Sequence, residues 1–384
     1  MSLAGAPVVG MVGGGQLARM THQAGISLGV RFRLLSEAAD SAAAQVVSDV
    51  TVGDVDDLDT LRAFAEGCDV VTFDHEQVPT RHLRVLEAQG YVVRPGPAAL
   101  EHAQDKILMR ERLSADGVPV PTWAPVATLA ELEEFAEEHG WPVVLKTARG
   151  GYDGKGVHVV DSLDQASGVL ASSRATGVRL LAEQHVPYTR ELAALVARSP
   201  SGQAVAYPVV ETLQIRGVCR EVVAPAPGLS AEHAALAQQV ALEVAGVLGV
   251  VGLMAVEMFE TVGGVLVNEL AMRPHNSGHW TIDGSVTSQF EQHLRAVLDY
   301  PLGSPAALAP HTVMVNVLGG DLPDLHGGFR HVLARDPGLH VHVYGKQVRA
   351  GRKVGHVTVT GADLGDLLER GRHAAAYLRG DVDE

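Results

Sequence analysis

The sequence predicts a multidomain protein of mixed α/β and α+β class, and three observations support this. A chain of 384 residues is too long to fold around one hydrophobic core. At roughly 150 residues per domain, we expect two or three domains. The first hundred residues alternate apolar runs such as PVVGMVG and DVVTF with amphipathic stretches, which is typical of a doubly wound sheet. The rest mixes β-hairpin patterns with long helical repeats, which is typical of α+β domains.

We divide the first half of the chain into two predicted domains. Residues 1–106 form an N-terminal α/β domain with a helix from Gln16, and the boundary lies where prolines surround a helix containing Lys106 to Leu113. Residues 107–186 carry the strand PVVLKTA, a glycine-rich loop, a helix around Leu163 to Ser173 and the strand RLLAEQHV. This second unit is predicted to be a small α+β lid.

Residues 187–384 are predicted to form a larger α+β domain. It begins with the strands ELAALVAR and AVAYPVV and continues with a long helix from about Ser230 to Leu248. The runs GLMAVEMFE and VLVNELAM then indicate a β-hairpin. From about residue 310, a small strand-rich subdomain closes with a helix from Leu364 to Leu378.

Composition restricts the function classes. The 30 basic and 45 acidic residues give a formal charge of -15, which opposes binding to nucleic acid or to anionic lipid. Cys68 and Cys219 occur in unrelated contexts, so we expect no disulfide framework and a reducing, cytoplasmic environment. Because no run of about 18 apolar residues occurs, we expect no membrane span, and the first residues do not resemble a signal peptide.

The first glycine cluster, GGGQLA at 13–18, follows an apolar strand and begins a helix. With Glu37 about 20 residues further on, it matches the G-x-G-x-x-A form of the dinucleotide fingerprint. The glycines themselves only permit a tight turn and let a helix N-terminus approach an anion. A nicotinamide cofactor, another phosphate ligand and a purely structural turn therefore all remain open from this motif.

The second glycine cluster lies in KTARGGYDGKG at 146–156. Lys146 ends an apolar strand, and the following loop can wrap a polyphosphate with its backbone N–H groups. It is not a P-loop, because G-x-x-x-x-G-K-[ST] is absent. The alternative is a mobile surface hairpin. Lys146 favours a nucleotide site, since a partly buried lysine needs an anionic partner.

Glu257 and Glu269 each lie six residues from Gly263 in the predicted hairpin. A three-residue loop at Val262 to Gly264 would place them directly opposite each other, with Cβ atoms roughly 5 Å apart. Mg²⁺ would relieve their repulsion and bind ATP phosphates. A two-residue turn at Gly263 and Gly264 would instead place them on opposite faces, and solvated edge residues are the other alternative.

Two further polar segments follow the hairpin. RPHNSGHW at 273–280 is predicted to be a polar cradle for substrate; zinc at His275 and His279 is disfavoured, because Pro274 and Gly278 disrupt a helix. The densest basic cluster contains four cations within a predicted strand, glycine turn and strand. It is either a solvated hairpin tip or an anion site. Its members are Lys346, Arg349, Arg352 and Lys353.

Taken together, these segments resemble the ATP-grasp superfamily and, within it, the family of 5-(carboxyamino)imidazole ribonucleotide synthases. They span nearly the whole chain in the family's order. The segments are GGGQLARM at 13–20, QDK at 104–106, KTARGGYDGKG at 146–156, EQHV at 183–186 with Glu191, YPVVE at 207–211, the two hairpin glutamates, NELAMRPHNSGHWT at 268–281 and YGKQVRAGRKVGH at 344–356.

The resemblance implies a pre-ATP-grasp N-terminal domain, a central lid and a C-terminal domain that clamps ATP. It implies that ATP is bound by Lys106, Lys146, Gly150, Gly151, Tyr152, Asp153, Gly154, Lys155, Gly156, Glu183, Gln184, His185, Val186, Glu191, Gln214, Asn268 and Glu269. It implies that 5-aminoimidazole ribonucleotide is bound by Gly15, Gln16, Leu17, Glu76, Asp153, Arg273, His275, Asn276, Ser277, Lys346, Arg352 and Lys353. Glu257 and Glu269 would hold Mg²⁺ or Mn²⁺. Asp153, Arg273 and His275 would be catalytic.

The implied reaction is ATP-dependent and bicarbonate-dependent carboxylation of 5-aminoimidazole ribonucleotide through carboxyphosphate, in a cytoplasmic homodimer. Two positions depart from the family pattern: Gln214 stands where a histidine is usual, and Asp74-His75-Glu76-Gln77 replaces E-F-E-N. The alternatives are another ATP-grasp ligase, such as a formate-using glycinamide ribonucleotide transformylase, an NAD-dependent oxidoreductase, and a non-catalytic nucleotide sensor.

Overall fold

The computed structural model describes residues 5–151 and 154–382. Its N-terminal part is a parallel sheet of β1 (Val8–Val12), β2 (Arg31–Ser36), β3 (Asp49–Val52) and β4 (Val70–Phe73). The strand order is β3-β2-β1-β4, so it reverses between β1 and β4. The apolar run YVV at 91–93 adds an isolated bridge between Val71 and Val93 to this sheet.

Helices cover this sheet. They are α1 (Gln16–Ser27), α2 (Leu58–Ala65), α3 (Thr80–Ala88), α4 (Pro97–Gln104) and α5 (Lys106–Ala115). Strands β1 and β4 are buried over their whole length, as expected for parallel strands that are covered on both faces. The start of α5 is fixed by Asp105, whose carboxylate accepts the N–H groups of Ile107 and Leu108.

The predicted lid is a four-stranded antiparallel sheet with two helices. The elements are β5 (Trp123–Val126), α6 (Leu129–His139), β6 (Val143–Thr147), β7 (Val157–Val160), α7 (Leu163–Thr176) and β8 (Leu180–Gln184). Leu132, Leu145 and Leu170 pack in its own core. Strand β5 and helix α6 were not predicted, although Thr128 and Glu131 form a capping box at the start of α6.

The C-terminal half contains a nine-stranded sheet. Its strands are β9 (Arg190–Arg198), β10 (Ala204–Ala206), β11 (Val210–Ile215), β12 (Val218–Ala224), β13 (Gly252–Thr261), β14 (Gly264–Ala271), β15 (His311–Leu318), β16 (His340–Val343) and β17 (Lys353–Gly361). The order is β14-β13-β9-β11-β12-β15-β17-β16, with β10 beside β9. The predicted strand AVAYPVV is therefore divided between β10 and β11, and β12 was missed.

The helices of this half are α8 (Ala231–Val247), α9 (Thr281–Gly284), α10 (Gln289–Val297), α11 (His326–Arg335) and α12 (Leu364–Arg379). Ser230 caps α8 where the sequence places its start. The strands after residue 310 continue the large sheet through pairing of β12 with β15, while α11 and α12 enclose a separate hydrophobic cluster with them. In the part of the chain that the structure describes, no helix is long and apolar enough to cross a membrane.

Candidate active site

Glu257 and Glu269 are paired residues of the β13–β14 hairpin. The predicted three-residue loop at Val262 to Gly264 is wrong, because Thr261 already pairs with Gly264 and the turn has two residues. A two-residue turn by itself would not place these two glutamates opposite each other. The predicted pairing is present for a reason that the sequence analysis did not consider.

A β-bulge restores the pairing. Met258 pairs with Val267, whereas the next pair is Glu257 with Glu269, so Asn268 is an extra residue on β14. In a regular strand consecutive side chains point to opposite faces, and a bulge re-aims them. The bulge therefore brings the side chains of Asn268 and Glu269 to the same site.

The two predicted phosphate-binding lysines meet these residues. Lys106, at the start of α5, places its Nζ 3.5 Å from Oε1 of Glu269. Lys146, on β6, is buried, and its Nζ lies 2.8 Å from Oδ1 of Asn268 and 2.7 Å from Oε2 of Glu183. Lys146 thus has the partners that its burial requires, and the protein supplies them.

Glu183 lies at the end of β8 and is buried between two cations. Its Oε1 accepts a 2.8 Å hydrogen bond from Nε of Arg110, and its Oε2 contacts Lys146. Burial raises the pKa of Glu183, but Arg110 and Lys146 outweigh burial and hold the pKa below its usual value. This carboxylate therefore positions Lys146, and the contact of Glu183 with ATP stays a prediction.

Glu257 has the opposite environment. Burial and the neighbouring carboxylates Glu269 and Glu191 together raise its pKa to about 8, although the charges of Lys353 and Arg273 lower it. Two carboxylates that share a site cannot both ionise without a compensating cation. The pair is therefore suited to hold a divalent cation.

The glycine-rich loop joins β6 to β7. Gly150, Gly151, Gly154 and Gly156 all have positive φ, which L side chains rarely adopt. A Cβ at Gly154 would lie 2.9 Å from Cα of Gly217, in the turn between β11 and β12, so this loop approaches the large sheet. Tyr152 and Asp153 lie outside the described residues.

The remaining residues that the resemblance assigns to ATP lie at the end of β8, in the segment after it, and on β9 and β11. After Glu183, the side chains of Gln184 and His185 are exposed and Val186 is buried. Glu191 is on β9, where burial raises its pKa and the Tyr188 hydroxyl donates to its Oε1 at 3.3 Å. Gln214 is a half-buried residue of β11.

The first glycine cluster lies where the N-terminal strand order reverses, a place where α/β sheets bind ligands. Asp74, after β4, accepts a hydrogen bond from N–H of Gly15 at the start of α1. Gly13 has a φ of 104°, and a Cβ there would lie 1.8 Å from Oδ1 of Asp74. The glycines thus accommodate a carboxylate where a dinucleotide enzyme would bind pyrophosphate, which argues against the nicotinamide alternative.

Both ends of the chain contribute to the predicted ribonucleotide site. Nε of Arg273 lies 2.8 Å from Oε2 of Glu76, which follows β4. Nζ of Lys346 donates to Oε1 of Gln16 at the start of α1. Leu17 is buried beneath them. The structure therefore brings into contact residues that are up to 330 positions apart in sequence.

The cradle at 273–280 is internally ordered. N–H of Ser277 donates to Nδ1 of His275, so the ring proton lies on Nε2, which is 3.6 Å from Oε1 of Glu257. Burial lowers the pKa of His275 to about 3, so its ring is neutral. Asn276 exchanges amide hydrogen bonds of 2.9 and 2.7 Å with Asn316 of β15.

His279, the second histidine of this segment, lies in the protein core. It is fully buried, and its Nδ1 lies 3.0 Å from Nε2 of Gln289. Across residues 5–151 and 154–382, no group of three or more His, Cys, Asp and Glu side chains is arranged to hold a metal. A cation at the glutamate pair would therefore complete its coordination with oxygens from ligands or water.

The basic cluster is not a simple hairpin tip. Residues 344–352 form an irregular connection between β16 and β17. Arg349 and Arg352 are exposed and donate to the side chain and carbonyl of Gln347. Lys353, the first residue of β17, is half-buried, and its charge lowers the pKa values of Glu257 and His275. Lys353 is therefore the cation of this cluster whose charge acts on Glu257 of the glutamate pair.

Sequence reasoning missed two charged residues that organise the site. Arg110 is a fully buried arginine of α5, and no sequence signal distinguishes it. Asp105 is buried and pairs with Arg149 at 2.8 Å and Arg179 at 2.7 Å, which ties the start of the glycine-rich loop to the helix of Lys106. The N-cap preference for aspartate before a helix could have identified Asp105.

A doubly wound N-terminal sheet, a lid with a buried lysine and a glycine-rich loop, and a carboxylate pair on the opposing sheet define an ATP-grasp enzyme. The family models agree. A ribonucleotide synthetase preATP-grasp domain matches residues 7–104, an ATP-grasp domain matches 111–290, and a phosphoribosylaminoimidazole carboxylase C-terminal domain matches 312–370.

Individual relatives narrow this class. The N5-carboxyaminoimidazole ribonucleotide synthase of Mycobacterium bovis is 54% identical over 377 residues, which cover 97% of this chain and 88% of that one. The solved N5-carboxyaminoimidazole ribonucleotide synthetase of Thermus thermophilus is 40% identical, with a TM-score of 0.87 and coverage of 98% and 99%. The Aspergillus clavatus enzyme, solved with ADP and 5-aminoimidazole ribonucleotide, is 31% identical, with a TM-score of 0.89 and coverage of 97% and 98%. This chain belongs to the N5-carboxyaminoimidazole ribonucleotide synthase family and is an ATP-dependent ligase.

Proposed function

We propose that this chain carboxylates the exocyclic amine of 5-aminoimidazole ribonucleotide with bicarbonate and ATP, and releases ADP and phosphate, in purine biosynthesis. The observation that carries the proposal is the Glu257–Glu269 pair. Lys106 meets it from one side at 3.5 Å, and His275 meets it from the other at 3.6 Å. The names of the relatives and the ligands of the Aspergillus clavatus complex support the choice of substrates.

The nucleotide would lie between the lid and the large sheet. Lys106 and Lys146 would neutralise its phosphates, and the loop at 150–156 would cover them with backbone N–H groups. The exposed end of β8 at 184–186 would meet adenine. Glu191 would accept from the ribose hydroxyls, with Gln214 nearby.

The residues present fit a divalent cation. Mg²⁺ prefers carboxylate oxygens together with substrate phosphates, and the raised pKa of Glu257, caused first by burial and then by Glu269, indicates a site that lacks positive charge. Glu257 and Glu269 would hold Mg²⁺ or Mn²⁺, whose chemistry there is charge neutralisation at the reacting phosphates. Asn268 would lie beside the same phosphates.

The ribonucleotide would occupy the crevice of the N-terminal sheet. The turn at 15–17 and Glu76 would line one wall, and the cradle at 273–277 would line the other. Its 5′-phosphate would meet Lys346, Arg352 and Lys353. These cations would then neutralise a second anion, whereas Lys106 and Lys146 would neutralise the ATP phosphates.

The chemistry divides into two steps. An oxygen of bicarbonate attacks the γ-phosphorus of ATP, the bond to the β-phosphate oxygen breaks, and ADP leaves with its electron pair. The amine nitrogen then attacks the carbon of carboxyphosphate, the carbon–oxygen bond breaks, and phosphate leaves as the amine loses one proton. Lys106, Lys146 and Arg273 stabilise the developing negative charge, so no protein nucleophile is required.

Proton transfer involves the predicted catalytic residues. The neutral His275 ring, with its proton on Nε2, is suited to donate a hydrogen bond to a carboxylate or to bicarbonate. Asp153 is the candidate acceptor for the amine proton. We further propose that residues 107–186 act as a lid that excludes water from carboxyphosphate, and that the chain is a cytoplasmic homodimer.

The deciding experiment measures ADP release by the purified protein with each substrate omitted in turn. We expect release only when ATP, bicarbonate and 5-aminoimidazole ribonucleotide are all present, with transfer of labelled bicarbonate to the ribonucleotide. ADP release with formate and glycinamide ribonucleotide in their place would support the transformylase alternative. Release that needs no ribonucleotide would contradict the proposal.

A further inference from the structure

The β-bulge at Asn268 leaves a backbone carbonyl that has to be satisfied outside the ladder. Asn268 has no partner in the register of β13 and β14. Its carbonyl instead accepts a 2.8 Å hydrogen bond from Nη2 of Arg110. Backbone carbonyls inside a protein almost always have a hydrogen-bond partner, and Arg110 supplies that partner to the bulged residue.

Arg110 makes this contact from another part of the chain. It lies on α5, four residues after Lys106, and is fully buried. The same guanidinium donates from Nε to Glu183, which in turn contacts Lys146. One side chain is therefore bonded both to the bulge and to the carboxylate that positions a lysine.

The consequence concerns two neighbouring side chains of β14. Oδ1 of Asn268 lies 2.8 Å from Nζ of Lys146, and Oε1 of Glu269 lies 3.5 Å from Nζ of Lys106. A regular strand would send one of these two side chains to the opposite face. Only the bulge lets both reach the same site.

We propose that Arg110 is a positioning residue that, by holding the bulged carbonyl of Asn268, keeps Asn268 and Glu269 aimed at the same site. The part of this proposal that concerns the metal rests on the proposed function, because it takes Glu257 and Glu269 as cation ligands. Arginine suits the task because its planar fork reaches two acceptors in fixed geometry, which a lysine ammonium on a flexible stem does not reproduce.

The test compares two variants that differ only at Arg110. Glu183→Gln alone keeps the guanidinium and its contact with Asn268. The double variant Glu183→Gln with Arg110→Met removes the guanidinium. Because Glu183 is already neutral in it, no buried carboxylate loses one of its two cations. Arg110→Lys in the wild-type background is a third variant, and Arg94→Lys is the control, because Arg94 also donates to a backbone carbonyl, that of Val297 at 2.6 Å.

The first measurement is amide hydrogen exchange of ligand-free protein over residues 265–270. We expect about 10-fold or faster exchange there in the double variant than in Glu183→Gln, with β9 and the first half of β13 unchanged. The same local effect should occur in Arg110→Lys and not in Arg94→Lys. Unchanged exchange at 265–270, or equal acceleration over all of β13 and β9, overturns the proposal, because Arg110 would then be merely a core residue.

The second measurement is Mn²⁺ binding in the presence of ADP, followed by the electron paramagnetic resonance signal of the free ion. We expect about 10-fold weaker binding in the double variant than in Glu183→Gln. If exchange accelerates but Mn²⁺ affinity is equal, the link between bulge and metal site is wrong. If the wild type binds no Mn²⁺ with ADP, the metal assignment under the proposed function fails, and the local exchange result still decides the role of Arg110 in the bulge.

Discussion

Glu183 and Glu257 are both carboxylates in the interior of the site, and their surroundings are opposite. Glu183 contacts Arg110 and Lys146, which hold its pKa below the usual value against the effect of burial. Burial, followed by the charges of Glu269 and Glu191, raises the pKa of Glu257 to about 8. The protein therefore pairs Glu183 with two cations and leaves Glu257 without sufficient positive charge nearby.

This difference separates a structural charge from a functional one. A buried ion pair with complete hydrogen bonding sets geometry, and removing one partner leaves an unpaired charge. Repelling carboxylates lower stability unless a ligand relieves them, so they persist where binding requires them. The following predictions test this distinction, from the largest expected effect to the smallest.

Glu269→Gln should reduce turnover at least about 1000-fold, which corresponds to several kcal/mol of lost transition-state stabilisation. Folding should not suffer, because the substitution removes one of two repelling charges. ADP release and the melting temperature without metal measure the two effects. Glu260→Gln is the matched control on the same hairpin, since Glu260 pairs with Arg190 at 2.7 Å and should tolerate the change with near wild-type turnover. Wild-type activity of Glu269→Gln would refute the metal assignment.

Glu183→Ala should destabilise the fold by about 3–5 kcal/mol, because it leaves Arg110 and Lys146 buried without their carboxylate. The expected drop in melting temperature is about 10 °C. Glu101→Ala provides the comparison, because the exposed Arg84–Glu101 pair should contribute only about 0–1 kcal/mol. A drop no larger than that of the control would mean that the buried triad is not a structural element.

Much of the fold was predictable, because its signals are local. The helix at 231–247 and the closing helix at 364–379 have clear periodicity, and both begin where the sequence places them. Local sequence patterns did not predict the structure where it depends on a residue far away in the sequence. The β-bulge depends on Arg110, which is 158 residues from Asn268, so counting along the hairpin gave the correct pairing with the wrong turn.

The first glycine cluster shows the same limit within the site. Its spacing fits a dinucleotide motif, and the residue that changes this interpretation, Asp74, lies 59 positions from Gly15. Lys146 was predicted to lie at a nucleotide site from its own strand and loop, whereas Lys106 was predicted there from the resemblance, and the structure brings both lysines to the hairpin residues. Their roles toward ATP stay predictions.

Lys353→Ala should raise the KM for the ribonucleotide by about 10-fold to 100-fold and leave that for ATP nearly unchanged, since a charge-assisted contact contributes about 1.5–3 kcal/mol. Lys353 compensates the glutamate pair only in part, which is consistent with a second anion nearby. Arg349→Ala is the control, because Arg349 is exposed beside Gln347 and should have little effect on either constant. A rise in the KM for ATP would place the cluster at the nucleotide.

The smallest expected effect is a pH dependence of stability that Glu257 has and Glu183 lacks. Because the pKa of Glu257 is about 8 in the folded protein and about 4.5 in a free side chain, the folded state binds more protons between these values. Without metal, its contribution to the free energy of unfolding is complete below about pH 4.5 and is lost as the pH rises to about 8. The lowered pKa of Glu183 gives a contribution that is constant in this window and is lost only at more acidic pH.

Melting temperatures in EDTA from pH 5.5 to 8.5 should therefore fall more steeply for the wild type than for Glu257→Gln, by about 3 °C at the alkaline end. Addition of Mg²⁺ with ADP should remove this difference in slope. Parallel curves for the two proteins would mean that the glutamate pair is already neutralised by the protein itself.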